Sequence, residues 1–251
     1  PLFSELYDRI TTGESLIYSW NTGLGSSFLG NFFNYLSSPI GLIVLLFGHK
    51  NTFEAVAAMI AIKAVLSSMS MSYYLKKSQK TDGFPIAAFG IMYAFCGYFI
   101  AYYWNVMWID AMYLLPFIVL GIEKIIETGK CKTYIISLAL AIWSNYYIGF
   151  MLCIFSCIYF LYYYACASKK LRERKVLNAE KEKFFTRLKN SFFLQSGIRF
   201  AFSSLSVGII LAFMLIPLAN ILSASSATKG TAPTEYDSYF TIFDFLANHL
   251  A

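Results

Sequence analysis

Asp110 and Lys63 are the residues of this chain whose type and surroundings first suggest chemistry. Asp110 ends a short turn between two long apolar runs, and the turn also holds Trp104, Asn105 and Trp108. Because tryptophan prefers the headgroup level of a bilayer, we expect the turn at a membrane surface. A carboxylate there serves as a general base or binds a polar substrate. The alternative is a first-turn acid that the dipole of the following helix favours.

Lys63 is the second anomaly, because it stands near the centre of the apolar run 51–75. A charge at that depth costs free energy and marks a functional site by default. It suits an anionic lipid phosphate lowered into the membrane. It also suits snorkelling to the surface, or a structural ion pair with a buried acid. The sequence shows no acid at this depth, since Glu54 lies near the outer end of the same helix.

Two further turns supply candidate residues. The stretch 11–25 combines turn glycines with Glu14, Trp20 and Asn21, which predicts either a substrate-shaping loop or a packed surface turn. Its Gly-x-Gly is no dinucleotide motif, because no strand precedes it and no βαβ unit follows. Asn145, in a second tight turn, indicates helix-turn packing or substrate contact. Aromatic faces beside a carboxylate and an amide predict a sugar-binding surface, and its candidates are Trp20, Trp104, Asn105 and Trp108.

Metal and cysteine chemistry are not predicted. Cys153 and Cys157 share one helical face, but no histidine or further cysteine stands nearby to complete a metal site. The five cysteines lie almost entirely in apolar runs, which favours packing over a disulfide framework. We therefore name no metal ligands and expect no organic cofactor, while a divalent-metal requirement stays open.

The composition is that of an integral membrane protein. Of the 251 residues, 58% are hydrophobic and 14% are charged, whereas ordinary soluble domains carry roughly 25% charged residues. The basic segment 168–199 interleaves leucine and phenylalanine with its charges, which predicts an amphipathic helix on anionic lipid. It is too short for a soluble nucleic-acid-binding fold. Membrane lipids are thus an expected partner and nucleic acid is not.

Apolar runs of about the length that a helix needs to cross a bilayer, ~17–25 residues, predict an all-α polytopic bundle with six full crossings. Residues 1–50 are expected to form an extracytoplasmic loop with an interfacial or re-entrant segment, because the apolar run 37–48 is too short to span. The other predicted regions are a five-helix transmembrane region (51–167), a basic amphipathic cytoplasmic loop (168–199), one transmembrane helix (200–223), and an extracytoplasmic loop that starts the next element (224–251).

The basic residues set the predicted orientation in the cell membrane. Three polar segments, 76–80, 124–132 and 169–199, hold 16 of the 20 Lys and Arg residues. These segments are therefore predicted to be cytoplasmic. The turns that hold Asp110 and Asn145 then face outward with the N-terminal stretch, so the expected active face is extracytoplasmic.

Several segments together resemble the bacterial YfhO-type membrane protein family. They are Gly13–Gly25, Tyr35–Pro39, Tyr103–Asp110, Leu120–Glu123, Ser144–Gly149 and Ile242–Asn248. They cover nearly the whole chain in order, which is more specific than any single motif. The family is much longer, so the chain resembles its N-terminal portion without the first transmembrane helix.

The resemblance implies a bundle like that of the GT-C glycosyltransferases, with interfacial helices at the outer face. Such enzymes take a sugar from a polyprenyl-phosphate carrier, and family members are associated with surface polymers such as lipoteichoic acid. The implied partners are thus a lipid-linked sugar donor and a surface-polymer acceptor. On this interpretation Asp110 or Glu14 is the general base, and Lys63 stabilises the leaving lipid phosphate. The acidic motif usual in that superfamily is expected upstream of Pro1.

Two other functions are alternatives. A non-catalytic transporter or flippase of a lipid-linked saccharide would use the same aromatic-lined cavity. It should show paired repeats with broken helices in each half, and no internal repeat is evident. A scaffold that recruits envelope enzymes would leave Lys63 unexplained. We therefore predict extracytoplasmic glycosyl transfer, with transport as the alternative.

Overall fold

The computed structural model of the chain describes residues 1–21, 25–80, 82–176 and 192–224. These residues are almost entirely helical, apart from one two-stranded antiparallel hairpin near the N-terminus. The expected all-α polytopic architecture is confirmed. The chain divides into two compact units, residues 1–218 and 219–251, and only residues 219–224 of the second unit are described.

The elements follow in chain order. The N-terminal group comprises α1 (Leu2–Thr12), the hairpin strands β1 (Tyr18–Ser19) and β2 (Ser26–Ser27), and two short helices, α2 (Phe28–Leu36) and α3 (Pro39–Phe47). The bundle comprises α4 (Thr52–Tyr74), α5 (Phe84–Ala94), α6 (Gly97–Tyr102), α7 (Val106–Thr128), α8 (Lys132–Ser144) and α9 (Tyr146–Val176). Two further helices are α10 (Phe192–Ile210) and α11 (Ala212–Ala224).

Four helical stretches of the described chain are long and apolar enough to cross a membrane. They are His49–Gln79, Phe84–Tyr102, Val106–Thr128 and Tyr146–Cys166. Two bent helix pairs bring the number to six if each pair counts as one span. They are Phe28–Leu36 with Pro39–Phe47, bent by 98°, and Leu194–Ile210 with Ala212–Ser223, bent by 72°.

The candidate spans of the structure differ from the six predicted crossings at two places. The run that begins at Lys132 forms α8, whose 13 residues reach only about 20 Å and do not span a bilayer. The predicted crossing 200–223 is interrupted at Leu211, where α10 gives way to α11. Conversely, the bent pair of α2 and α3 occupies the place where an interfacial or re-entrant segment was expected.

Helix α7 is the most buried of the four spans, and it packs against α4, α8 and α9. Its close approach to α8 depends on Gly121, because a Cβ there would stand 2.6 Å from the backbone nitrogen of Tyr134. Pro116 provides no N–H for the carbonyl of Met112. The Tyr93 hydroxyl donates to that carbonyl at 2.7 Å instead. Neighbouring helices thus complete the hydrogen bonding of α7.

The bent segment, defined as α2 and α3 with the bend between them, contacts the end of the short helix α8. In the bend, Ser37 donates to the carbonyls of Trp143 at 2.6 Å and Ser144 at 3.1 Å. The Asn145 side chain donates from Nδ2 to the carbonyl of Asn34 at 2.8 Å. Irregular backbone at membrane depth is tolerated where protein buries it. Here the irregular backbone of the bend at Ser37 and Ser38 is buried, and the end of α8 contacts it.

The basic segment after α9 has other boundaries than the sequence predicts. Helix α9 continues to Val176, and α10 begins at Phe192. Both ends of the predicted loop 168–199 are therefore helical. Its centre, 177–191, and the predicted outer loop from residue 225 onward lie outside the described residues.

Candidate functional site

Lys63 and Asp110 form a buried ion pair between α4 and α7. Lys63 Nζ lies 2.7 Å from Asp110 Oδ2, and the two side chains are 1% and 2% exposed. Nζ also donates to the carbonyl of Val106 at 2.8 Å. Two expectations are thereby corrected. Asp110 lies in the second turn of α7 rather than in a surface turn, and Lys63 does have an acid at its own depth.

Both carboxylate oxygens of Asp110 are engaged. Oδ1 accepts hydrogen bonds from Ser38 Oγ and from the Tyr113 hydroxyl, each at 2.9 Å. Ser38 precedes α3 in the bend of the bent segment, so the carboxylate joins α4, α7 and that segment. Hydrogen bonds to a charged group are about twice as strong as neutral ones. The pair therefore fixes an irregular segment to the regular helices.

This geometry favours a positioning role for the ion pair. A general base must lie within hydrogen-bond reach of the hydroxyl that it deprotonates. Asp110 is buried, and its oxygens already accept from Lys63, Ser38 and Tyr113. Lys63 is buried as well, away from any surface where a lipid phosphate arrives. The catalytic role of Asp110 and the phosphate-binding role of Lys63 stay predictions.

Val106 connects the ion pair to a cavity of about 340 Å³. Its carbonyl accepts the hydrogen bond from Lys63, and Val106 also lines the cavity. Trp104, one of the predicted sugar-site residues, lines the same cavity and is 66% exposed. The other walls come from α1, α2 and the start of α4, and their polar residues are Ser4, Tyr35 and Thr52. The cavity thus combines aromatic, hydroxyl and apolar surfaces.

Glu14, Trp20 and Asn21 lie in or beside the hairpin and are all exposed. In the described part of the chain, no hydrogen bond or ion pair joins them to Asp110. Trp20 packs edge-on against Tyr18, with ring centroids 5.0 Å apart, and its own ring is 76% exposed. These residues are accessible to a substrate, but the structure does not gather them with the ion pair.

Arg9, on α1, connects that helix to the hairpin through hydrogen bonds, a role that the sequence did not reveal. It is 5% exposed, and Nε lies 3.0 Å from Glu5 Oε1. Nη1 donates to the carbonyls of Ser15 and Tyr18. The guanidinium also stands 4.5 Å over the ring of Phe28, at the start of the bent segment. The spacing of Glu5 and Arg9, four residues apart on a helix, was the available signal.

Three predicted substrate contacts pack against their neighbours. Asn105 is 7% exposed and precedes α7, where its carbonyl accepts from the Trp108 amide at 2.8 Å. The Trp108 ring lies 5.4 Å from that of Tyr102, centroid to centroid. Asn145 is 2% exposed, and its Oδ1 accepts from the Ile148 amide at 2.9 Å. For Asn145 the geometry favours helix-turn packing over substrate contact.

Glu123 is a second buried acid on α7, and sequence reasoning missed it. It is 3% exposed, and its Oε1 accepts from the hydroxyls of Tyr74 at 2.8 Å and Tyr159 at 2.9 Å. No Lys or Arg of the described residues pairs with it. In the sequence Glu123 directly precedes the polar segment 124–132, whereas α7 continues to Thr128. Its setting among isoleucines was the signal for burial.

Metal-ligating geometry is absent from the described residues, which contain no group of three or more His, Cys, Asp or Glu side chains placed to hold an ion. The five cysteines are free thiols.

Comparison with known proteins identifies relatives of the chain. The profile of the family described as "Bacterial membrane protein YfhO" matches residues 1–251. The "Uncharacterized protein YfhO" of Bacillus subtilis (strain 168) is 27% identical over 174 residues, which are 62% of this chain and 20% of that relative. The aligned part is therefore about a fifth of the relative's length. No solved structure matches the chain.

Proposed function

The chain belongs to the YfhO family of bacterial membrane proteins, and from this premise we propose that the full protein is a glycosyltransferase. It moves a sugar from a polyprenyl-phosphate donor to a cell-surface polymer, such as lipoteichoic acid, on the extracytoplasmic face. The resemblance to the GT-C enzymes supports this reaction class. A lipid-linked donor already carries the activated bond, so the reaction needs no nucleotide motif.

One observation carries the proposal: the bent segment is fixed on the Lys63–Asp110 pair beside a cavity that Trp104 lines. A sugar delivered on a lipid needs a site beside lipid-facing helices, with an aromatic face for the ring and hydroxyls for its polar groups. The cavity offers these surfaces. It lies on the side of the bundle that the distribution of basic residues predicts to be extracytoplasmic.

The transfer itself requires an accessible carboxylate. The acceptor hydroxyl attacks the anomeric carbon, a base takes the hydroxyl proton, and the polyprenyl phosphate leaves with the electron pair of the broken bond. Glu14 is the exposed candidate for that base, while Asp110 and Lys63 hold the bent segment in place. Asp110 reaches an acceptor only if its ion pair opens. Trp20 and Trp104 offer exposed faces to the sugar.

The test is an assay of sugar transfer from polyprenyl-phosphate donors in membranes that contain the full-length protein. Replacing a general base typically costs about 10²–10⁴-fold in rate, so Glu14→Gln is expected to lose transfer at normal protein abundance. The matched control is Glu54→Gln, an exposed carboxylate on α4. Asp110→Asn and Lys63→Met are expected to lose activity and stability together.

Different outcomes test the assignment of the site and the proposed function. Undiminished transfer in all of these variants would refute the assignment of the site and send the search upstream of Pro1. Absence of transfer by the unmutated protein, across several donors, would contradict the proposed function.

Transport of a lipid-linked saccharide is the second candidate, and broken helices favour it. The apolar stretch Phe84–Tyr102 is interrupted between α5 and α6, and a 72° bend separates α10 from α11. Discontinuous helices are typical of transporter binding sites. Proteoliposomes with a fluorescent lipid-linked saccharide and no acceptor polymer distinguish the two functions. Translocation without any transferase activity would replace the enzyme proposal with transport.

A further inference from the structure

Four basic residues lie in or next to the loop that joins α7 to α8. Lys124 lies in the second-last turn of α7, and Lys130 and Lys132 lie in the loop and at the start of α8. Arg199, from α10, reaches the same loop at Gly129. The contact is close, because a Cβ on Gly129 would stand 2.3 Å from Nη1 of Arg199. A side chain at position 129 would therefore require the guanidinium to move away from this backbone.

Gly129 is suited to this place for a second reason. It ends α7 with a φ of 74°, the left-handed conformation that glycine adopts without strain. The chain can therefore turn sharply after Thr128, and Lys130 and Lys132 follow within three residues of the glycine that Arg199 approaches. We call these three residues, with Lys124, the basic loop cluster.

The basic loop cluster has little compensation from acids of the described residues. None of its members forms an ion pair there, and the Nζ of Lys124 lies 3.4 Å from Thr133 Oγ1. The other three side chains are exposed. Glu127, the nearest exposed acid along the chain, accepts from the Tyr163 hydroxyl at 2.6 Å. Glu123 is buried beneath two tyrosine hydroxyls. Among the described residues, the loop therefore carries net positive charge.

We propose that the basic loop cluster binds the phosphate of an anionic phospholipid, of the phosphatidylglycerol class. The cluster lies at the end of membrane helix α7 and in the first half of α10, on the side predicted to be cytoplasmic, where we expect lipid phosphates. Basic pockets between transmembrane helices recognise anionic headgroups in this way. The Arg199 guanidinium provides a planar fork that matches two phosphate oxygens.

A bound phosphate would connect two parts of the bundle. Lys130 and Lys132 belong to the α7–α8 turn and Arg199 belongs to α10, so a phosphate between them offsets their mutual repulsion. The lipid then stabilises the packing of α10 on α7 and α8. This inference does not depend on the proposed transferase activity.

The test is native mass spectrometry of the full-length protein, titrated with phosphatidylglycerol or phosphatidylcholine. The test variant combines Lys130→Gln, Lys132→Gln and Arg199→Gln. Each charge near an anionic surface contributes about 1 kcal/mol, which is roughly fivefold in affinity, so the variant is expected to lose about a hundredfold in phosphatidylglycerol binding. The control combines Lys76→Gln, Lys77→Gln and Lys80→Gln, at the end of the helical stretch His49–Gln79 on the predicted cytoplasmic side, where Asp82 pairs with Lys76, and it should keep the preference.

Gly129→Ala is the second variant, because it displaces Arg199 without changing any charge. We expect it to weaken phosphatidylglycerol binding by about fivefold, the effect of one charge. Its melting temperature, measured without added lipid, shows whether it is folded. If the triple variant fails to fold, Arg199→Gln alone takes its place with the same expected fivefold loss.

Three results would overturn the proposal. Equal losses in the test and control triples would mean that general surface charge, and not this cluster, attracts the lipid. Displacement of phosphatidylglycerol by inorganic phosphate would identify a soluble anion as the ligand. Equal binding of phosphatidylglycerol and phosphatidylcholine by the unmutated protein would exclude recognition of an anionic headgroup.

Discussion

Helix α7 buries two acids in two different ways. The amine of Lys63 pairs with Asp110, whereas two phenol hydroxyls donate hydrogen bonds to Glu123. Asp110 also accepts a hydrogen bond from Ser38 in the bent segment, where the chain is irregular. Glu123 lies where three regular helices, α4, α7 and α9, meet. The ion pair thus occurs where a non-helical segment must be held, and neutral donors suffice where helices already pack.

The two environments respond differently to the loss of one partner. Removing one member of a buried ion pair leaves an uncompensated charge, which costs about 3–5 kcal/mol. Glu123 accepts hydrogen bonds from two neutral hydroxyls. If one of these hydrogen bonds is lost, the other remains, and the cost is about 1 kcal/mol. The same acid-to-amide substitution at both positions therefore measures how much of the fold depends on each acid.

The largest effect is expected for the two substitutions that break the ion pair. Lys63→Met leaves the Asp110 carboxylate unpaired, and Asp110→Asn leaves the Lys63 ammonium unpaired. Each should lower the free energy of unfolding by about 3–5 kcal/mol, measured on the full-length protein in detergent. Lys50→Met is the control, because Lys50 is exposed. A loss no larger than that of the control would show that the pair is unimportant for stability.

An intermediate effect is expected for Ser38→Ala. The substitution removes one hydrogen bond to a charged group, which is worth about 1.5–3 kcal/mol, and it releases the bend from α7. Limited proteolysis should then cleave the bent segment faster while the rest of the bundle stays resistant. Ser206→Ala, at a half-buried position on α10 far from the bent segment in the chain, should leave the cleavage rate unchanged. Unchanged cleavage in Ser38→Ala would mean that other contacts hold the segment.

The smallest effect is expected for Glu123→Gln. The amide keeps a carbonyl oxygen that accepts from Tyr74 and Tyr159, so the loss should be about 1 kcal/mol or less. Thermal unfolding of this variant beside Asp110→Asn gives the comparison directly. A loss as large as that of Asp110→Asn would indicate that Glu123 balances a charge outside the described residues.

The sequence predicted the architecture and the anomaly of Lys63, but not its partner. Composition and apolar runs were sufficient for an all-α membrane bundle. The partner was missed because the sequence puts Asp110 in a turn, whereas α7 already begins at Val106. A shift of a few residues in a helix start moves an acid from the surface into the interior.

The bent segment was only partly predictable. A short apolar run indicates that a segment does not span the membrane, but it does not reveal which residues the segment will contact in the folded protein. The contacts of Ser37, Ser38 and Asn34 reach residues 72 to 111 positions away. Such pairings depend on how the helices assemble, and local patterns do not encode them. Glu123 was missed for a related reason, since a charged residue near a helix end resembles a loop residue.

A double-mutant cycle on Lys63 and Asp110 tests the central claim, that this pair holds the site together. Lys63→Met, Asp110→Asn and the combined variant are compared by their free energies of unfolding in the full-length protein. The account predicts that the combined loss is smaller than the sum of the single losses by about 1.5–3 kcal/mol, because the double variant has no unpaired charge. Losses that add within about 0.5 kcal/mol would contradict it.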